Sequence, residues 1–112
     1  MGTFLISKRS NGDFQFVLKA GNGQVILASE GYSTKAACEN GVASVRVNSQ
    51  TATRFESLES KNEKYYFNLK ASNGQIIGTS QMYETKVSKD NGIASVAANA
   101  PDAEVVIAYS TR

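Results

Sequence analysis

The chain is an internal duplication. Residues 14–49, FQFVLKAGNGQVILASEGYSTKAACENGVASVRVNS, align without a gap to residues 65–100, YYFNLKASNGQIIGTSQMYETKVSKDNGIASVAANA, with 18 of 36 positions identical at a constant offset of 51. Phe4 and Asn11 extend the match upstream to Phe55 and Asn62. A period of about half of a 112-residue chain means one structural unit used twice. A unit of about 50 residues buries too little surface to be stable alone, so the copies are expected to share one core. The expectation is a single compact domain, 1–112, built from repeat one at 1–52 and repeat two at 53–112.

Each unit reads as strands followed by a helix. Phe14, Phe16, Leu18 and Ala20 alternate with Gln15, Val17 and Lys19, and Tyr65, Phe67, Leu69 and Ala71 alternate with Tyr66, Asn68 and Lys70, which is the period of a strand with one buried face. Asn22-Gly23 and Asn73-Gly74 then precede the apolar runs at 25–27 and 76–77, and predict hairpins with type I′ turns. Asn11-Gly12 after FLISK adds an earlier hairpin, giving a three-strand antiparallel meander in each half.

Helices are expected at roughly 34–46 and 85–97. Either Ser33 or Thr34 caps the first and Thr85 the second, while Tyr32 and Tyr83 staple the entry by packing on the first turn. Cys38, Gly41, Val42 and Val45 fall at i, i+3, i+4 and i+7, and the matching stripe is Lys89, Gly92, Ile93 and Val96. A mid-helix glycine costs about 1 kcal/mol relative to alanine, so its presence in both copies calls for a reason. Two are open: close approach of the helix backbone to the sheet, or a break into two short turns at Asn40-Gly41 and Asn91-Gly92. Apolar runs at 54–58 and 105–109 close the pattern.

The motif F-x-[FL]-x-L-K-A-x-N-G-Q-x-I, then S-x-x-Y-x-T-K, then N-G-[IV]-A-S-V, occurring twice, resembles the YegP-like family of small uncharacterised bacterial proteins over almost the whole chain. The resemblance implies an α+β fold: a tandem repeat of three antiparallel strands, a helix and a strand, forming one pseudo-twofold sheet with the helices packed on one face. It further implies that the final strands are exchanged, with 54–58 and 105–109 in equivalent places. The departures within the duplicate are Gly78 and Thr79 for Leu27 and Ala28, and Lys89 for Cys38. The resemblance brings no activity and no catalytic residues.

Chemistry is limited by what the chain lacks. It has no histidine, which removes the commonest general base, the histidine-dependent triads and nearly all zinc sites. Gly21 and Gly23 open no dinucleotide fingerprint, since Ile26 stands where the third glycine belongs. Lys35 follows a threonine, the reverse of a phosphate loop's order. Cys38 is the sole cysteine and lies on the apolar stripe, so it reads as buried filler in a reducing, cytoplasmic setting. No leader or membrane-length apolar run stands in the sequence, and a net charge of +2 is too small to demand a nucleic-acid or membrane partner.

The expectation is a non-enzymatic, monomeric interaction or accessory module with an unidentified protein or small-molecule partner and no cofactor or metal. The alternative is weak single-strand nucleic-acid binding on the outward sheet face. Lys19 and Lys70 are kept in both copies and share that face with Tyr66, so these three form the candidate interaction surface, lysines for phosphates and tyrosine for a base.

Overall fold

The computed structural model describes residues 2–109; Met1 and residues 110–112, at the ends of the two expected repeats, lie outside the described residues. The first unit runs β1 (Thr3–Lys8), β2 (Phe14–Lys19), β3 (Val25–Ala28) and α1 (Lys35–Asn48). The second runs β4 (Phe55–Glu59), β5 (Tyr65–Lys70), β6 (Ile76–Thr79) and α2 (Lys86–Asn99), and β7 (Glu104–Ile107) follows. A turn of 3₁₀ helix, Ala52–Arg54 or Ala100–Asp102, leads out of each α-helix. All seven strands join one sheet in the order β4-β5-β6-β3-β2-β1-β7. Every pairing is antiparallel except that of β7 with β1, which is parallel.

The two meanders meet where β3 pairs with β6 through Ala28 and Thr79. These residues are each other's repeat mates, 51 apart, so the pseudo-twofold axis passes between them. The axis explains a departure within the duplicate. A Cβ on Gly78 would stand 2.7 Å from both Cγ and Cδ2 of Leu27. Beside the axis there is room for one leucine, and Leu27, fully buried, takes it.

Both helices lie on the same face, α1 over β2 and β6 and α2 over β5 and β3. Beneath them Phe4, Ile6, Phe16, Leu18, Phe67 and Leu69 are fully buried in one continuous core. Burying each of these side chains stabilises the fold by roughly 1.5–3 kcal/mol. Cross-links join the halves at the helix ends. Arg46 donates to the carbonyls of Ala103 at 2.8 Å and Pro101 at 3.3 Å, and Gln50 donates to Ala97 O at 2.9 Å.

The hairpin expectation holds for position and fails for turn type. Gly23 N–H donates to Ala20 O at 2.9 Å, and Gly23 has φ of 85° while Asn22 keeps a negative φ. This is a turn closed by a single left-handed glycine, with Asn22 Oδ1 accepting from Gln24 N–H at 3.0 Å, rather than a type I′ turn with two positive φ values. A bulge follows in both copies, leaving Ile26 and Ile77 without a partner in the ladder and turning both into the core.

The helices begin one residue later and end two residues later than expected. Thr34 and Thr85 cap them, accepting from Ala37 N–H and Ser88 N–H at 3.0 Å each, and Ser33 does not. Both helices run unbroken through their glycines. What approaches Gly41 and Gly92 is chiefly a tyrosine. The Tyr32 ring stacks on Phe16 at 6.2 Å and that of Tyr83 on Phe67 at 6.4 Å, and each hydroxyl reaches the helix at the glycine. The tyrosines therefore pack on the second turn, not on the first. An added Cβ would meet Tyr32 Cζ at 2.8 Å and Phe16 Cε2 at 2.9 Å in one copy, and Tyr83 Cζ at 2.7 Å in the other. Gly41→Ala and Gly92→Ala are each expected to destabilise by about 1–3 kcal/mol despite alanine's helix propensity, with Gly41→Ala the worse because Phe16 also blocks it. Urea melts in which both variants match or exceed the parent would contradict this packing.

The final strands also differ from expectation. The segment at 54–58 was expected to match 105–109 in space, yet β4 heads the second unit as β1 heads the first, while β7 lies parallel beside β1. One strand connects α1 to β5, so it occupies the opening position of unit two and leaves no strand to sit beside itself. The strand after each helix pairs with the opposite meander, β4 with β5 and β7 with β1, but not in equivalent places, because β1 stands between β7 and β2.

Candidate functional site

Lys19, Lys70 and Tyr66 all lie on the outward face of the sheet, half-buried, but the fold does not gather them. β2 and β5 are three strand spacings apart, about 14 Å, and run in opposite directions, so Lys19 and Lys70 stand toward opposite ends of the face. Tyr66 is four residues from Lys70 along β5, roughly 13 Å. Its cross-strand neighbour is Leu58. Lys70 is also engaged: its ammonium is 3.1 Å from Glu56 Oε2. Hydrogen bonds from Lys70 and then Asn68 hold the Glu56 carboxyl below the usual carboxylate range. Asn68 in turn accepts from Thr79 Oγ1 at 2.8 Å, so the centre of this face is a row of polar groups satisfied by one another.

Cys38 is fully buried in the core, and burial pushes its thiol up from its ordinary value, with the Glu39 carboxylate adding to the effect. A thiol in that state is a poor nucleophile.

The two units differ most at their outer edges. In unit one β7 covers β1: Ala108 N–H donates to Ile6 O at 2.8 Å, Phe4 and Ile6 are fully buried, and Tyr109 packs edge-on against Phe14 at 5.5 Å. Lys8 Nζ completes that corner, 5.3 Å from the Phe14 ring and 5.5 Å from the Tyr109 ring. The mates of Phe4 and Ile6 are Phe55, which is half-buried, and Ser57, which is exposed. No described strand lies beyond β4. Ser60 N–H donates to Lys64 O at 2.8 Å, and alternation back along β4 from that pair turns the backbone groups of Ser57 away from β5, toward the open edge.

Above this edge lies a cleft of about 210 Å³ lined by Ser57, Leu58, Glu59, Tyr65, Lys86 and Lys89. Its floor is polar. Lys89 is only 8 % exposed, and its ammonium donates to Ser57 Oγ at 2.8 Å and to Asp90 Oδ1 at 2.6 Å. Asp90 is thus its ion-pair partner, and with Ser57 it takes two of the three donors that an ammonium carries. Lys86 Nζ stands 6.0 Å from the Tyr65 ring. Sequence reasoning noticed Lys89 as the replacement for Cys38 at the start of an apolar stripe, without a role. The signal that could have singled it out is a paired departure: Lys89 for Cys38 together with Ser57 for Ile6, two positions that touch.

Comparison with known proteins agrees with the duplication. The family model described as "Domain of unknown function (DUF1508)" matches twice, at residues 10–56 and 60–106. The UPF0339 protein YegP of Shigella flexneri is 58% identical over 98 residues, covering 88% of this chain and 89% of that protein. A UPF0339 protein of Acinetobacter baylyi is 54% identical over 104 residues, covering 93% and 94%. The solution structure of yegP from E. coli, titled as a protein of unknown function, superposes with a TM-score of 0.93 at 51% identity, covering 99% of this chain and 96% of that one. The UPF0339 protein structure from Shewanella oneidensis gives 0.90 at 51% identity, covering 95% and 90%.

Proposed function

Since this chain belongs to the DUF1508 family, as a tandem-repeat relative of YegP, we propose that it acts as a non-enzymatic interaction module that holds a protein partner, as a monomer in a reducing, cytoplasmic setting. The observation that carries this reading is the unequal treatment of the two sheet edges. The same strand position is roofed by β7 in unit one and left with outward backbone groups, an exposed Ser57 and an open cleft in unit two. The chemistry agrees: the one thiol is buried with its pKa raised, and the chain has no histidine to activate a hydroxyl. Among the described residues no helix is long and apolar enough to cross a membrane. Single-strand binding finds less support, because Lys70 is paired with Glu56 and Tyr66 stands apart from both lysines.

Capture from native lysate on the tagged chain, with nuclease-treated and untreated arms, tests the reading. A protein retained in both arms is expected. Capture lost with nuclease, or short oligonucleotides bound with a steep salt dependence, would replace it with the nucleic-acid alternative.

A further inference from the structure

The pseudo-symmetry supplies a template for what the open edge takes. Applying the offset of 51, three residues around β7 in unit one have mates in unit two, Ile6 in Ser57, Lys8 in Glu59 and Phe14 in Tyr65, and the core residue Cys38 has its mate in Lys89. Strand registers of the two meanders agree under the same offset, Ile6 opposite Phe16 and Ser57 opposite Phe67. The seat of a parallel strand is therefore present beside β4, with backbone acceptors and donors in place, and the residues around it have changed character. Where Ile107 packs beside Ile6 and the core in unit one, the corresponding space in unit two faces Ser57 Oγ and the Lys89 ammonium.

We propose that the β4 edge binds an extended peptide segment of a partner protein as an eighth strand, parallel to β4, with a carboxylate at the position matching Ile107 and an aromatic ring two residues later. The backbone supplies affinity by strand addition, and pockets for alternate side chains supply selectivity. The carboxylate meets the third donor of Lys89, where a charge-assisted bond forms in a partly desolvated cleft. The aromatic ring takes the place that Tyr109 has against Phe14, here against Tyr65 with Lys86 beside it. This proposal rests on the interaction-module reading and names the chemistry of the partner.

The test uses the full chain and synthetic peptides, followed by amide chemical shifts. The probes are Ala-Glu-Val-Val-Glu-Ala-Tyr, which is the chain's own final strand with glutamate in place of Ile107, and its isoleucine and lysine counterparts. The glutamate peptide is expected to shift Phe55, Ser57 and Glu59 and to bind at least about tenfold more tightly than the isoleucine peptide, with the lysine peptide weakest. Lys89→Cys, which restores the residue of unit one, should reverse the order of glutamate and isoleucine. N-methylation at the alanine preceding tyrosine, whose N–H would reach Ser57 O as that of Ala108 reaches Ile6 O, should abolish binding. N-methylation one residue earlier, on the edge facing away, should leave it. These arms leave the protein untouched, so they stand if a variant misfolds.

No shifts at ~1 mM peptide, equal affinity for all three peptides, or insensitivity to the blocking N-methyl group would overturn the proposal. A dimer of the chain alone that Ser57→Pro dissociates would put a second copy on the edge and would equally overturn it. Lysate capture that Ser57→Pro leaves intact would sink strand addition while sparing the interaction module, whereas nuclease-sensitive capture would sink the module itself.

Discussion

Cut between residues 51 and 52, the chain will yield no folded monomeric half. The first fragment would lose β7 from one side of its meander and β6 from the other, baring both edges of a three-stranded sheet, and Arg46 would lose its acceptors in Pro101 and Ala103. The second fragment would lose β1 as the support of β7 and Leu27 as the filler over Gly78. Three strands and a helix of about 50 residues bury too little apolar surface to offset the conformational entropy of folding. Each fragment is expected to be unfolded or to dimerise through its bared edge. Sedimentation and calorimetry decide it: a monomeric half with a cooperative heat-absorption peak would contradict the shared core.

The second large effect is expected at the pseudo-twofold axis. Gly78→Leu restores the residue that the first copy carries and should nonetheless destabilise by about 3 kcal/mol, the upper end of ordinary overpacking, because its Cβ alone comes within 2.7 Å of Leu27. Leu27→Gly should also be costly, at least the ~2–5 kcal/mol of a leucine truncated to alanine in a core. The two changes together exchange the halves' roles across the axis, so the double variant should recover at least about 1 kcal/mol relative to the sum of the single ones. Additive losses in urea melts would mean that the two positions do not share one space. The sign of this effect is opposite to what repeat identity suggests, which makes it a sensitive test of the arrangement.

The strands, both helices, the threonine caps and the need for Gly41 and Gly92 were legible in the sequence, because alternation, capping chemistry and duplication are local or near-local signals. The turn type was not: whether Asn22 joins Gly23 in the left-handed region depends on the bulge beside Leu18, which the letters NGQ do not encode. The seat of β7 was not legible either. Its pairing with β1 joins residues about a hundred positions apart in parallel register, and an apolar run such as EVVI is equally at home at either edge of the sheet. On the outward face, alternation placed Lys19, Lys70 and Tyr66 on the right side but could not show that Glu56 engages Lys70 from the next strand. Lys89 was visible as a change from Cys38, but its meaning required knowing that Ser57 lies beside it.

Amide hydrogen exchange of Ile6 and Ser57 tests the central claim most directly, since these repeat mates hold the same place in their meanders and differ in whether a strand lies beyond them. The Ile6 N–H faces β7, in the parallel register that pairs Ile6 with Ile107, whereas the Ser57 N–H faces the open edge. The expected result is Ile6 protected to near the global stability of the protein and Ser57 exchanging close to the rate of an unstructured amide. Ser57 protected as strongly as Ile6 in the isolated chain would contradict an open second edge.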